Sequence, residues 1–473
     1  MHPTLAKDFE SLPSLLYQAM SLSADYLDGL NEHPVSRPAP VTAETTLPED
    51  GVGTTGALKA FYATHANTVV ASSGPRYWGF VTGGTTPAAI AGDWLSTVFD
   101  QNTQSTKGPG GSTAAVEVET IGLLLDLLGL PATFQGGFVT GATMANFTGL
   151  AVARQWAGRQ LGFDAARSGV QPGIVVLSAT PHSSAVKALS LLGLGSSNII
   201  PLRTLDADRE ALDPADLEEK LEQYKHSAVI LVSSGGTVNS VDFDDMTAIA
   251  GLRGRYRFYW HVDAAFGAFA ALSPGHRPLL EGWDAADSIA VDCHKWMNVP
   301  YDSAFYLVRK EHASLQVQTF QNSNAPYLGD PEADFTYLNF GPENSRRFRA
   351  LPVWISLQAY GRSGFRWMVE HSIERAQSFA RRLAGETPFR VCAPVHLNVV
   401  CFTIPGADAG ALTAVLDILN ARGRVFFTPS AYRGTPCIRA AFVNWRTTEP
   451  DIDIAIGELR AAAGQLSGTA TED

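Results

Sequence analysis

The middle of the chain alternates two apolar rhythms. Short unbroken runs, Ile174 to Ser178 (IVVLS), Ala228 to Ser233 (AVILVS), Phe258 to Val262 (FYWHV), Ser288 to Asp292 (SIAVD) and Ala304 to Val308 (AFYLV), have the length and the β-branched and aromatic content of buried strands. Between the first three lie segments with helical spacing, such as Asp213 to Lys225 (DPADLEEKLEQYK). Strand, helix, strand in that order predicts an α/β fold whose mostly parallel sheet carries helices on both faces. Upstream, Leu12 to Leu30 repeats apolar residues at helical spacing until Pro34, Pro38 and Pro40 break it, which predicts an N-terminal helical arm. Residues 108–131 predict a helix capped by Ser112 or Thr113 and stopped by Gly129 and Pro131. Past Trp367 a long helix leads to a strand (NVVCFTIP), a helix around Leu412 to Ala421, two more strands (VFFTPSAY, CIRAAFVN) and a last helix from Glu449. This is the pattern of a small α+β domain, joined through the arginine-rich stretch Arg346 to Arg349. The expected organisation is an arm over 1–100, a large α/β domain over 101–365 and the small domain over 366–473.

Composition narrows the partners. The 473 residues are 45% hydrophobic, enough for more than one core. Asp and Glu outnumber Lys and Arg by 47 to 35, a formal charge of −12, which disfavours nucleic acid or an anionic membrane surface. The four cysteines, Cys293, Cys392, Cys401 and Cys437, are scattered without metal-ligand spacing, no secretory leader precedes them, and no run of about 18 apolar residues occurs. A cytoplasmic protein with no membrane segment and no metal site is expected.

In a parallel sheet, ligands sit beyond the carboxyl ends of the strands. Just past the runs named above stand His182, Thr237, Asp263 with Ala264 and Ala265, and the pair His294 and Lys295. A lysine there is costly to bury unless something uses it. The set suits pyridoxal phosphate, which is held as an imine on a lysine while a carboxylate keeps its ring nitrogen protonated. A small residue such as Ala265 lets one ring face pack closely, and an imidazole such as His182 can stack on the other. The segment FVTGATMANFTGLAVAR supplies a strand, then Gly141, Ala142 and Thr143 opening a helix, whose N-terminal N–H groups suit a phosphate. The G-x-G-x-x-G spacing of a dinucleotide loop is absent.

Together, TGATMANFTGLAVAR, PHSSAVKA, SSGGTVNSVD, HVDAAFGAFA and DCHKWMNVPYD resemble the group II pyridoxal-phosphate-dependent amino-acid decarboxylases, which include aromatic amino-acid, glutamate and cysteine-sulfinate decarboxylases. The resemblance implies fold type I and a homodimer with active sites at the interface. It implies that Lys295 tethers the cofactor, Asp263 pairs with the ring nitrogen, His182 stacks on the ring and Ala265 packs beneath it. Ala142 and Thr143, helped by His294, would hold the phosphate, Thr237 would lie near the ring hydroxyl, and His261 and Asp242 would support them. Many members have Asn-Pro before the His-Lys pair; here Asp292 and Cys293 stand there, and an aspartate repels a phosphate unless it points away.

The implied reaction is decarboxylation of an L-amino acid to its amine and carbon dioxide. The same residues also serve carbon–carbon lyases, aminotransferases and aldehyde synthases, and a silent scaffold would retain the fold without the chemistry. Tyr77, Trp78 and Phe80 tilt the substrate toward an aromatic side chain if they line the pocket rather than a core. An acidic substrate would need a cation such as Arg76 or Arg347. Arg439 is a candidate for the substrate carboxylate or for a structural ion pair. Tyr327, in a Pro- and Gly-containing stretch resembling a lid, is the candidate proton donor, with Tyr337 as its competitor.

Overall fold

Seven strands, β1 (Phe134–Val139), β2 (Ile174–Ser178), β3 (Ile199–Pro201), β4 (Ala228–Ser234), β5 (Phe258–Asp263), β6 (Ser288–Asp292) and β7 (Ala304–Arg309), form one sheet in the order β1-β7-β6-β5-β4-β2-β3. The computed structural model describes residues 1–38, 46–106, 111–205, 208–321 and 335–469. Strands β3, β2, β4, β5 and β6 pair in parallel, whereas β7 runs antiparallel to both β6 and β1. The loop 293–303 explains the reversal, since it is too short for the crossover a parallel return needs. The short β3 was not anticipated; three residues carry no periodic signal.

The arm is α1 (Pro3–Glu10), α2 (Leu12–Asp28) and α3 (Gly53–Thr64), followed by α4 (Pro87–Phe99) and α5 (Ser112–Leu128). Next come α6 (Ala142–Gln160), α7 (Ala165–Ser168), α8 (Ser183–Leu191), α9 (Pro214–Gln223), α10 (Met246–Leu252) and α11 (Ala313–Phe320). Successive strand residues point to opposite faces. Ile230 and Val232 accordingly meet α6 and α8, while Val229 and Leu231 meet the core that α5, α9 and α10 cover. Asp213 caps α9 through the Ala215 N–H, as the DPAD pattern suggests. The cap expected for α5 is different: Gly111 occupies the N-cap without a side-chain bond, and the buried Thr113 hydroxyl has no partner among the described residues.

After α12 (Tyr337–Phe340), the long α13 (Ala350–Glu386) runs from the large sheet to the small one, kinked at Gly361, whose φ of 57° favours glycine. The boundary expected at 365/366 thus lies inside this helix. Beyond it, β8 (Arg390–Val391), β9 (Val399–Thr403), β10 (Thr428–Tyr432) and β11 (Thr435–Ala441) form an antiparallel sheet in the order β10-β11-β9-β8, backed by α14 (Ala409–Arg422) and α15 (Glu449–Thr469). Strand β10 starts later than its apolar run, because Phe426 bridges to Tyr77 from the loop after the arm. Cys293, Cys392, Cys401 and Cys437 are all free thiols. Among the described residues, no helix is long and apolar enough to cross a membrane.

Candidate active site

The strand ends open onto a cavity of about 430 Å³. Its wall brings together His182, Thr237, Asp263, Ala265 and Lys295, with Phe80 from the loop after the arm and Arg439 from β11. Lys295 follows β6 closely, its ammonium 5.7 Å from the centre of the Phe266 ring and 2.8 Å from Asp292 Oδ2. Two features hold its loop. A Cβ on Gly83 would come within 2.0 Å of the Lys295 carbonyl oxygen, so glycine lets the 79–86 loop cross there. Asn298 accepts from the N–H groups of Gly84 and Trp445 at 2.9 and 3.2 Å and donates to the carbonyls of Trp296 and Val443.

Asp263, the last residue of β5, accepts from Asn146 Nδ2 at 2.9 Å and from the Ala265 N–H at 3.3 Å. Asn146 Oδ1 accepts from His261 Nε2 at 2.9 Å, and His261 Nδ1 lies 2.7 Å from the Ser288 hydroxyl. His261 therefore supports Asp263 through Asn146. Burial pushes its pKa down to about 4, which keeps the ring neutral near pH 7. Asn146 was not singled out from sequence, yet it lies four residues after Ala142 on α6 and hence on the same face.

His182 both caps a helix and lines the cavity. Its Nδ1 accepts from the Ser184 N–H at 3.2 Å, capping α8, while the ring lines the cavity. Burial, the largest influence on it, lowers its pKa. The Thr237 hydroxyl donates to Glu210 Oε2 at 2.6 Å and accepts from the Asp242 N–H at 2.9 Å. Asp242 stands behind the wall. Its carboxylate takes Arg209 Nε and Nη2 at 2.8 Å each and the N–H groups of Glu210 and Ala211, pinning the segment that carries Glu210 into the cavity. Glu210 too was missed, because nothing local marks it.

At the N-terminus of α6, Asp292 does not point away. Its Oδ1 accepts from the Ala142 N–H at 2.6 Å and lies 3.4 Å from His294 Nε2. The chain's own carboxylate thus takes the N–H expected for a phosphate, as a helix N-terminus favours an anion. Thr143 remains uncommitted: no hydrogen bond engages its N–H or hydroxyl among the described residues.

Several expectations are corrected. Trp78 is 1% exposed in the small-domain core, its indole N–H donating to Thr447 Oγ1 at 3.3 Å, and Tyr77 stacks on Phe426 at 4.5 Å; neither lines the cavity. Phe80 does, 61% exposed, turned by φ values of 56° at Phe80 and 59° at Val81. That left-handed backbone is strained for a β-branched valine, as strain at a binding site often is. Tyr337 is buried, with its hydroxyl donating to the Gly136 carbonyl at 3.2 Å and its ring 4.0 Å from the Arg346 guanidinium, so it is part of a core. Tyr327 lies outside the described residues. Arg76 pairs with Asp451 at 2.9 Å and Arg347 with Asp93 at 2.7 Å, so both are committed elsewhere. Arg439 forms no ion pair among the described residues, and its buried Nε has no hydrogen-bond partner.

The donor set fits pyridoxal phosphate: a primary amine and a carboxylate share one cavity, an imidazole and an alanine flank it, and Thr143 offers free donors at the α6 terminus. The pyridoxal-dependent decarboxylase conserved domain matches residues 47–405. The aromatic-L-amino-acid decarboxylase of Bacillus atrophaeus is 28% identical over 485 residues, covering 99% of this chain and 98% of that one. Tryptophan decarboxylase 1 of Oryza sativa subsp. japonica is 28% identical, covering 78% and 76%. Oryza sativa TDC, solved with PLP and tryptamine, shares the fold with a TM-score of 0.87 at 22% identity, covering 97% of this chain and 98% of that one. A match across most of the chain, on a fold that assembles the lysine and the aspartate in one cavity, establishes the family: this chain belongs to the pyridoxal-dependent decarboxylases and is a pyridoxal-phosphate-dependent amino-acid carboxy-lyase.

Proposed function

We propose that this decarboxylase acts on an aromatic L-amino acid, in a cytoplasmic homodimer, with Arg439 receiving the substrate carboxylate. The observation that carries the substrate reading is the wall itself: Phe80 and Phe266 line it, and Arg439 is a lining cation that forms no ion pair among the described residues. An acidic side chain would need a second cation, and Arg76 and Arg347 are both spent elsewhere. The names of the relatives point the same way.

When bound, pyridoxal phosphate holds the substrate amino group and takes up the electron pair left at the α-carbon as carbon dioxide departs. Lys295 supplies the tethering nitrogen. Asp263, fixed by Asn146 and the Ala265 N–H, would be the carboxylate that pairs with the protonated ring nitrogen. His182, whose pKa burial lowers, and Ala265 would hold the ring between them. Thr143 and His294 would hold the phosphate at α6, and Thr237 would serve the ring hydroxyl. Arg439 would bind and orient the substrate carboxylate, and an orientation of its bond to the α-carbon across the ring's π system is the one that selects decarboxylation. Tyr327 remains the candidate proton donor to the α-carbon.

The arm supports the homodimer. Leu15 is the only buried residue of α1 and α2, while Leu5, Phe9, Leu12, Leu16, Tyr17 and Met20 are exposed, an apolar face that a second copy would cover. A panel of natural amino acids assayed for carbon dioxide and amine tests the substrate class. Tryptophan, tyrosine or phenylalanine should be turned over, and Lys295→Ala should lose both turnover and borohydride labelling of the chain. Preferred release from glutamate would overturn the aromatic reading.

A further inference from the structure

Glu210 reaches the cavity on a segment fastened from behind. Asp242 binds its N–H and that of Ala211, and Asp244 accepts from the Leu212 N–H at 2.7 Å. From the small domain, Tyr432 donates to the Asp208 carbonyl and Arg433 to the Arg209 carbonyl at 3.0 and 2.9 Å. So anchored, the Glu210 side chain has little freedom to leave.

Its two oxygens are unequally used. Oε2 accepts from the Thr237 hydroxyl at 2.6 Å and from the Ser240 hydroxyl and N–H at 2.7 and 3.1 Å. Among the described residues, Oε1 has a single long contact, Asn239 Nδ2 at 3.4 Å. Glu210 therefore has one carboxylate oxygen with spare acceptor capacity, and it lines the same cavity as Lys295 and Arg439. A partly desolvated carboxylate attracts N–H and O–H donors and repels other carboxylates.

We propose that Glu210 is a specificity-determining residue: it favours amino acids whose side chain carries an N–H or O–H donor, such as an indole or a phenol, and rejects those bearing a second carboxylate. This rests on the aromatic decarboxylase reading above and refines it. Arg439 takes the carboxylate that every α-amino acid carries, and Glu210 reads what the rest of the molecule presents.

The test compares wild type, Glu210→Gln and Glu210→Asp holoenzymes. Binding of tryptophan, tyrosine, phenylalanine and glutamate is read from the cofactor's absorbance, and turnover from carbon dioxide release. In wild type, tryptophan and tyrosine should bind more tightly than phenylalanine by about tenfold, the worth of one hydrogen bond to a charged group. In Glu210→Gln that ratio should shrink toward one while glutamate gains at least about tenfold; Glu210→Asp should keep the rejection of glutamate. Equal ratios in all three proteins, with the cofactor's absorbance intact, would overturn the proposal. Wild-type binding without carbon dioxide release from any aromatic amino acid would instead sink the decarboxylase reading, and the binding ratios would still judge Glu210.

Discussion

Asp292 is the side chain whose surroundings say most about this chain. It holds Lys295 and the first N–H of α6 at once, so a negative charge stands beside the donors proposed for the phosphate. Replacing it by asparagine removes the repulsion and keeps an acceptor for Ala142. Asp292→Asn should tighten pyridoxal phosphate binding by about tenfold to a hundredfold, a few kcal/mol being the size of a like-charge contact at reduced dielectric. Absorbance titration of the apoprotein checks this, and unchanged affinity would mean that Asp292 leaves the α6 terminus when the cofactor arrives. His261 gives a pH prediction. Its folded pKa of about 4 lies below the ordinary value of 6.5, so the unfolded chain binds its proton first as pH falls. The stabilisation from keeping it neutral is complete above about pH 6.5 and shrinks as pH drops toward 4, by about 3 kcal/mol in all. Asp244, pushed up to about 7 by burial, has the opposite sign over much of that window. The clean measurement is therefore the difference in denaturation free energy between wild type and His261→Gln, which should narrow as pH falls; a pH-independent difference would refute it.

Among the elements, α6 does most to build the site. Its first turn meets Asp292, its second supplies Asn146 to Asp263, and its third must pass under the ring of His261. A Cβ on Gly149 would stand 2.8 Å from that ring and 2.9 Å from Ser288 Oγ. Gly149→Ala should cost about 1–3 kcal/mol, the usual range for overpacking a filled core, and should displace the His261–Asn146–Asp263 chain. Thermal melting would show the loss, and an unshifted melting temperature would show that α6 can give way. The rhythm of the apolar runs was enough to locate β2, β4, β5, β6 and β7 to within a residue, because both faces of that sheet are buried and the runs are continuous. It could not tell that Trp78 serves the small-domain core while Phe80, two residues on, faces the cavity; the left-handed turn at Phe80 and Val81 decides that.

At the level of the whole molecule, the two sheets meet at the cavity and the arm offers its apolar face outward. Leu16→Glu with Met20→Glu should shift a sedimenting dimer toward monomer and reduce turnover in parallel; a wild-type monomer with full activity would remove the homodimer. Lys295, Asp263 and His182, which share one cavity and are proposed to carry the chemistry, could be singled out because each sits just past an apolar run, and strand ends are where a parallel sheet gathers its ligands. Chain order alone suffices for that. Asn146 beside Asp263, Asp292 on the Ala142 N–H and Trp78 against Thr447 join residues 117, 150 and 369 positions apart. Such contacts leave no local trace in composition or periodicity, since they arise when separate elements pack and a buried polar group takes whichever partner that packing brings within reach.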